Sequence, residues 1–314
     1  MENKTNPGSR QRSACLIHPL RRRGTLRDAR TFLACCYICF GLLPALLGAC
    51  RKEQDPAAPD APEPPAVVTA DSVLTRIRIR TGHPDVSRLD VFLYASDGTR
   101  SLEKHLSLDR IPDELGLLTL PGEKLAVVIA NSPRKFNLKA LERYDAMEQL
   151  AFSFSDDNPD RPVMGGSATT DGQCAEICLE PLLCRIVLTS VSNTMDGYDL
   201  LENPRVRLLD IPDTAEILRR QDFRPPELID AGHWTPLPCD IGFFPLEPRL
   251  SLWCYPNDTP ESVLGVLRPT LEFACEILGQ TCSFEVPLPP LPRGCTKEID
   301  LTIDGPGSHR YKIR

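Results

Sequence analysis

Thiols outnumber imidazoles in this 314-residue sequence, with 13 cysteines against 5 histidines. A metal centre would need them beside histidines at ligand spacing. Cys174, Cys178 and Cys184 come nearest to a cluster, but their gaps of three and five residues are not those of a zinc site, and no histidine lies near. His83, His105, His233 and His309 fall in no motif with a serine, cysteine or aspartate, so nothing points to a nucleophilic triad. Gly165-Gly166-Ser167 lacks the Gly-x-Ser-x-Gly frame of a nucleophile elbow, and no phosphate- or dinucleotide-binding glycine loop occurs. Asp156-Asp157-Asn158-Pro159-Asp160 begins like a calcium loop, yet Arg161 stands where glycine is needed and Ser167 where the bidentate glutamate belongs. It reads as a solvated acidic loop. The expectation is no catalytic residue, no metal and no cofactor. The balance of 43 Asp+Glu against 36 Lys+Arg, a formal charge of −7, also argues against a nucleic-acid partner.

One cysteine does sit in a context with a definite chemistry. Residues 1–30 carry seven Arg and one Lys, and an apolar run from Thr31 ends in Leu46-Leu47-Gly48-Ala49-Cys50. A basic region, an apolar region and small residues before a cut site read as a secretory signal. The run is long enough to span a bilayer. However, Pro44 and Gly48 interrupt its far end, and an acidic, Pro-rich stretch follows where a stop-transfer segment would be basic. Leu47, Gly48, Ala49 and Cys50 resemble a bacterial lipobox, in which the cysteine thiol takes a diacylglycerol and becomes the new N-terminus. Cys35, Cys36 and Cys39 then leave with the leader, and a start codon placed too far upstream accounts for its length. The chain from residue 50 keeps 28 basic and 41 acidic residues, a charge of −13, which suits an exported body held to a membrane by acyl chains. Eight cysteines remain besides Cys50. Several occupy strand patterns as small apolar residues do, so their pairing stays open. Cys275 and Cys282, across the Gly279 hairpin, are the most local candidates for a disulfide.

The elements follow from periodicity. Pro56, Pro59, Pro62, Pro64 and Pro65 among Ala and acidic residues make 51–70 a semi-extended tether. Val73, Thr75, Ile77 and Ile79 then alternate with Arg76, Arg78 and Arg80, a strand with one buried face. Leu89–Tyr94, a turn at Asp97-Gly98, Leu117–Leu120, a turn at Pro121-Gly122 and Leu125–Ala130 continue the pattern. The last of these is apolar on both faces and belongs in a central strand. Asn131-Ser132-Pro133 closes it in a turn. Leu138, Leu141 and Leu150 fall near helical spacing, predicting one short helix over 137–150, and Phe152 and Phe154 alternate again. The chain loosens around Met164-Gly165-Gly166-Ser167. A second strand-rich region begins near Ile177, with strands expected at 186–191, 206–211, 241–245, 250–255, 271–277, 282–286 and 299–303. The prolines of 287–292 make an irregular connection. Signal 1–49, lipidated Cys50 and tether 50–71, and two mostly-β domains at 72–176 and 177–314 are the expected organisation.

In its layout from 72 onward the chain resembles the fimbrillins and fimbrial anchor lipoproteins of Bacteroides-type bacteria. The resemblance rests on the alternating first strand, Leu89-Asp-Val-Phe-Leu-Tyr94 with its Asp-Gly turn, and Leu125-Ala-Val-Val-Ile-Ala-Asn131. It continues through the helical stretch, Val163-Met164-Gly165-Gly166, and Glu298-Ile-Asp-Leu-Thr-Ile303 before Gly305-Pro-Gly-Ser308. Arg51-Lys52-Glu53-Gln54-Asp55 is similar to surface-export signals of such lipoproteins. The resemblance implies two tandem transthyretin-like β-sandwiches with one short helix in the first, and a place in a fimbrium at the outer-membrane surface. The partners it implies are other fimbrial subunits, the outer membrane through a lipid anchor, and a host or bacterial surface ligand. It also implies that the first strand, with Val73, Thr75, Ile77 and Ile79 inward, is the strand-exchange element. In that family the strand fills its own sandwich until an arginine-specific protease cuts behind it, and a neighbour's strand then fills the vacated groove. Arg80 and Arg88 are the arginines available for processing, but the loop 82–88 is shorter than the family's processing loop. This favours a basal or accessory subunit that keeps its lipid and its first strand. The rivals are a polymerising stalk subunit and a monomeric surface lipoprotein that binds a glycan or a host protein.

Overall fold

The computed structural model describes residues 72–314 other than 172, 198, 221, 222, 261 and 264. The signal, the lipobox with Cys50 and the tether lie outside the described residues. A strand that is apolar on one face must find a second layer to cover it, and nearly every element here is such a strand. The first eight are β1 (Val73–Thr81), β2 (Leu89–Ala95), β3 (Leu102–Leu108), β4 (Leu115–Thr119), β5 (Lys124–Ala130), β6 (Ala151–Ser153), β7 (Met164–Thr170) and β8 (Cys174–Pro181). Seven of them form one hydrogen-bonded series, β3-β2-β5-β7-β8-β1-β4. The series folds over at the β7–β8 corner, where only Met164↔Pro181 and Gly165↔Glu180 pair. Ile77 and Ile79 of β1, Leu117 of β4 and Ile177 and Leu179 of β8 therefore meet Leu89, Val91 and Leu93 of β2 and Ala126, Val128 and Ala130 of β5 in one core. This is the first sandwich.

The second is built from β9 (Cys184–Asn193), β10 (Glu202–Pro212), β12 (Leu228–Pro236), β13 (Leu250–Cys254), β14 (Thr270–Ile277), β15 (Gln280–Pro287), β16 (Thr296–Gly305) and β17 (Ser308–Ile313), while β11 (Thr214–Glu216) pairs with β6. Sheet β12-β10-β14-β15 faces sheet β13-β9-β16-β17 across a core that includes Ile186, Leu188, Val206, Leu208, Phe273, Phe284, Leu301 and Ile303. A third core joins the sandwiches. Phe92, Tyr94, Val127 and Ile129, on the other face of β2 and β5, pack with Met147, Phe152, Leu182, Leu183, Ile217 and Tyr255. That core is why β2 and β5 read as apolar on both sides.

The two-sandwich, mostly-β architecture agrees with the sequence pattern, but several elements differ. The helix is confined to α1 (Tyr144–Glu148), with no side-chain cap at Arg143. Residues 137–141 form hydrogen-bonded turns instead, Leu141 N donating to the carbonyls of Asn137 and Leu138. Five uncapped residues depend on tertiary packing, here of Met147, rather than on helix propensity. Residues 164–167 are not loose: they start β7 in the middle of the sheet, paired with β5. A Cβ on Gly166 would lie 2.4 Å from the Cys178 carbonyl oxygen, and one on Gly165 would lie 2.6 Å from Ile217 Cδ1. The glycines mark close approach, not a linker. Residues 241–245 are not a strand; only Ile241 bridges, to Leu201. The boundary expected between 176 and 177 falls inside β8, which pairs with β1 in the first sandwich as far as Leu179. Asp157 is not solvated as the acidic-loop reading expected. It accepts from the backbone N–H groups of Asn158 and Val163, and burial raises its pKa.

Cys275 and Cys282 face one another across β14–β15 as buried thiols. Burial first, then the neighbouring Cys282, pushes the Cys275 thiol up to about 12.

Two outcomes follow from these contacts. Gly166→Ala costs about 1–3 kcal/mol of stability in denaturant unfolding, since backbone must move to admit the methyl. Gly98→Ala, with open space around it, changes stability by less than about 0.5 kcal/mol. Alkylation of the native protein near neutral pH, mapped by peptide mass spectrometry, labels exposed Cys174, Cys178 and Cys239 well before Cys275 and Cys282.

Candidate functional site

The residues of β1 alternate because one side of the strand faces core and the other faces water. Thr75, Ile77 and Ile79 are buried, Val73 is half-buried, and Arg76, Arg78 and Arg80 point outward. The strand is bonded on both edges. It runs antiparallel to β4, from Val73↔Thr119 to Ile77↔Leu115, and parallel to β8, from Arg76↔Cys174 to Thr81↔Leu179. The one polar group among its inward side chains, the Thr75 hydroxyl, lies 2.8 Å from the Thr119 hydroxyl, which removes the cost of burying it alone. On the outer face Glu114 lies 3.4 Å from Arg76 and 3.3 Å from Arg78, and Glu176 lies 2.9 Å from Arg80. These are exposed pairs and add little. The pairing with β4 and β8 and the buried isoleucines hold the strand.

The outer edge of β4 is closed by side chains rather than by another strand. Lys104 Nζ donates to the Leu118 carbonyl, 2.9 Å, and the Leu120 N–H donates to Glu103, 2.5 Å. Charged groups across a sheet edge discourage pairing with a stray strand.

The loop behind β1 is tied down by Asn131, which ends β5 in the left-handed region at φ 57°. Asn tolerates that conformation because its side chain can bond locally. Its Oδ1 accepts from the Ser87 N–H, 3.0 Å, and its Nδ2 donates to the carbonyls of Asp85, 2.9 Å, and Pro162, 3.2 Å. Arg88 is held beyond this by Asp90, a fully buried carboxylate. Arg88 Nε donates to Asp90 Oδ2 at 2.7 Å, and the second fork bond, to Oδ1, is 3.2 Å. His105 Nε2 sits 3.0 Å from the same Asp90 Oδ1, its ring against Phe92. The sequence reading missed this Arg88–Asp90–His105 cluster, because Asp90 looks there like the polar member of an alternating strand. His105 and Asp90 are hydrogen-bonded to each other and Asp90 to Arg88, not to a serine or cysteine, so the cluster is a buried ion pair rather than a triad.

Of the arginines expected to be processed, Arg80 lies in the part of β1 that pairs with β8 alone, and Arg88 is engaged by Asp90. Among the described residues no group of three or more His, Cys, Asp and Glu is arranged to hold a metal. No described helix is long and apolar enough to cross a membrane. A cavity of about 650 Å³ opens beside β11, lined in part by Arg220, Phe223, Asn257 and Val266. Arg219 at its wall is paired with Asp258, and Arg293 donates to the carbonyls of Glu216 and Ile217, so two of its cations are already committed.

No protein-family model and no curated protein matches the sequence. Solved structures do match the fold. A protein of Parabacteroides distasonis assigned to cell adhesion superposes with a TM-score of 0.60 at 12% identity, covering 78% of this chain and 96% of that one. A fimbrilin of Porphyromonas gingivalis gives 0.54 at 10% identity, covering 75% and 91%. The tip fimbrial protein Mfa3 of the same organism gives 0.50 at 10% identity, covering 77% and 99%. At these identities the likeness is one of fold: this chain has the two-sandwich fold of fimbrilins and related surface proteins.

Ile77→Ala costs about 2–5 kcal/mol in equilibrium unfolding, because it leaves a cavity between the layers. Arg78→Ala costs less than about 1 kcal/mol. Brief digestion of the folded protein with an arginine-specific protease, read by N-terminal sequencing, leaves the bonds after Arg80 and Arg88 intact. Asp90→Ala leaves the part-exposed Arg88 guanidinium with only the Arg134 carbonyl and the Phe136 ring, lowers stability by about 1–3 kcal/mol and opens the bond after Arg88 to the protease.

Proposed function

We propose that this chain is a non-enzymatic fimbrial subunit, basal or accessory, held at the outer membrane by acyl chains on Cys50 and keeping its first strand. The observation that carries this reading is the double pairing of β1, together with the engagement of Arg80 and Arg88. A strand bonded to β4 over 73–77 and to β8 over 76–81, and anchored by two buried isoleucines, is not released by a single cut in a pinned loop. The fold shared with a fimbrilin and a fimbrial tip protein supports the assembly role. The lipobox supports the anchor.

Strand donation is the assembly mode we assign to it. An extended segment entering a sheet gains ladder hydrogen bonds, and its alternate side chains fill pockets. With β1 in place the groove of this first sandwich is filled by the chain's own strand, so it accepts no neighbour's strand there, and any strand it donates is a segment other than β1. Val73, Thr75, Ile77 and Ile79 are the groove-filling residues in this scheme. The second reading, a monomeric surface lipoprotein binding a glycan, draws on the cavity beside β11, where Phe223 and Arg220 could meet a sugar face and its hydroxyls.

Mass spectrometry of the mature N-terminus, on protein from outer membranes and from purified fimbriae, tests the proposal. The expected result is a lipidated Cys50 as the N-terminal residue in both pools. A start at Thr81 or Leu89 in fimbriae would turn the assignment to a processed stalk subunit. Absence of the chain from fimbriae, with lipidated Cys50 in membranes, would favour the monomeric reading.

A further inference from the structure

Phe243 and Phe244 are adjacent, and each is 80% exposed. Large apolar side chains so fully presented to water, and side by side, mark a contact surface more often than chance. The segment that carries them is an arch pinned at both feet. Ile241 and Leu201 exchange backbone hydrogen bonds of 3.1 and 2.9 Å, and Leu246 and Val191 exchange bonds of 2.9 and 2.8 Å. Asn193 Nδ2 donates to the carbonyls of Asp199, 2.7 Å, and Ile241, 3.3 Å, fixing one foot again. Gly242 lets the arch pass over Leu200, whose Cδ2 would lie 3.1 Å from a Cβ there, and Leu200 is itself 45% exposed. A braced loop needs little ordering when it binds, so exposed aromatics on it keep most of their contact energy.

The position of the arch narrows its partner. β1 runs parallel to β8, and β8 leads through Leu182 and Leu183 into β9, which ends at Asn193 beneath the arch. Val73, where the described chain begins, and Phe243–Phe244 therefore lie at opposite ends of the paired sandwiches. The flanks of the arch are acidic: Asp199, Asp240 and Glu247 adjoin it, and Arg249 pairs with Glu247. That disfavours an anionic lipid surface. The two rings stand at 86° with centroids 5.5 Å apart, so they form a wedge and not the flat platform that stacks on a sugar.

We propose that the Phe243–Phe244 arch is a docking wedge for a neighbouring fimbrial subunit of the same fold, seated in an apolar socket with a basic rim. This chain shows what such a socket looks like. Near the Val73 end of its first sandwich, Leu74, Leu118 and Leu120 are 46%, 49% and 59% exposed, with Lys104 beside them and with Arg76 and Arg78, which share the single carboxylate of Glu114. Wedge and socket at opposite ends give a heterologous, head-to-tail contact that extends a row instead of closing a dimer. The inference rests on the fimbrial reading and adds the surface through which the chain meets its neighbour.

The test is a photo-crosslinking residue at position 244 of the full-length chain, expressed in its own cells and irradiated before fimbriae are purified. The expected result is an adduct with a protein of the fimbriae, its crosslinked peptide falling in a first-sandwich end built like 74–120. Phe243→Ser with Phe244→Ser removes the adduct and lowers the amount of chain bound to fimbriae at least tenfold, with the thermal unfolding midpoint unchanged. Glu247→Lys weakens the binding in the same direction. Adducts with lipid, with polysaccharide or with proteins absent from fimbriae overturn the inference, as does no adduct from a chain that still sediments with fimbriae. A wild-type chain that never sediments with fimbriae overturns the fimbrial reading itself.

Discussion

Two sets of backbone hydrogen bonds, one on each edge of β1, carry the logic of the first sandwich. The antiparallel set joins the strand to β4 and supplies the opposing wall of the core. The parallel set joins it to β8, the segment that runs on into the second sandwich. Remove the strand and Leu117, Ile177 and Leu179 lose the cover of Ile77 and Ile79, and the edges of β4 and β8 that faced it lose their partners. The beginning of the described chain is therefore the piece that makes a single sheet edge unavailable in two places.

The same economy appears in the other layer. β2 and β5 serve two cores at once, one inside the first sandwich and one at its junction with the second. The polar groups in the junction are satisfied locally. The Tyr94 hydroxyl donates to the Leu141 carbonyl, 3.0 Å, and the Tyr255 hydroxyl lies 3.1 Å from the Ser153 carbonyl and 3.2 Å from Asp157. Burial raises the pKa of both phenols, so they stay protonated donors at any physiological pH. Unpaired hydroxyls in that core would each cost stability. Paired, they orient the segment between β5 and β7 against the second sandwich. Gly165 and Gly166 allow this crowding, because β7 passes so close to Ile217 and Cys178 that no side chain fits.

Assembly and stability meet in this arrangement. A mostly-β protein must keep its sheet edges from pairing at random. Here one edge is crossed by Lys104 and Glu103, and the edge strands β3, β12 and β17 are polar or irregular. The apolar residues left in the open are gathered at the ends, in the wedge at 243–244 and the leucines near Val73. That distribution separates the surfaces that must stay soluble from those that can bind.

Period-two alternation in the sequence determined the strands with a buried face: β1, β2, β5, β9, β10, β13, β14, β15 and β16 all lie on apolar patterns readable without coordinates. The export signal and the lipid-accepting Cys50 are expectations from local residue order, and they lie outside the described residues. The alternation did not reveal β3, β12 or β17. The residues of these three carry no apolar rhythm of period two, unlike those of edge strand β15, whose alternate residues are buried. The sequence pattern misread 164–167 as loose, because glycine chosen for close packing looks like glycine chosen for flexibility. It misread 241–245 as a strand, because exposed aromatics at a loop look like buried ones in a sheet. Only tertiary structure decided those, along with the pinning of Arg88 by Asp90, because each depends on residues brought together from distant parts of the chain.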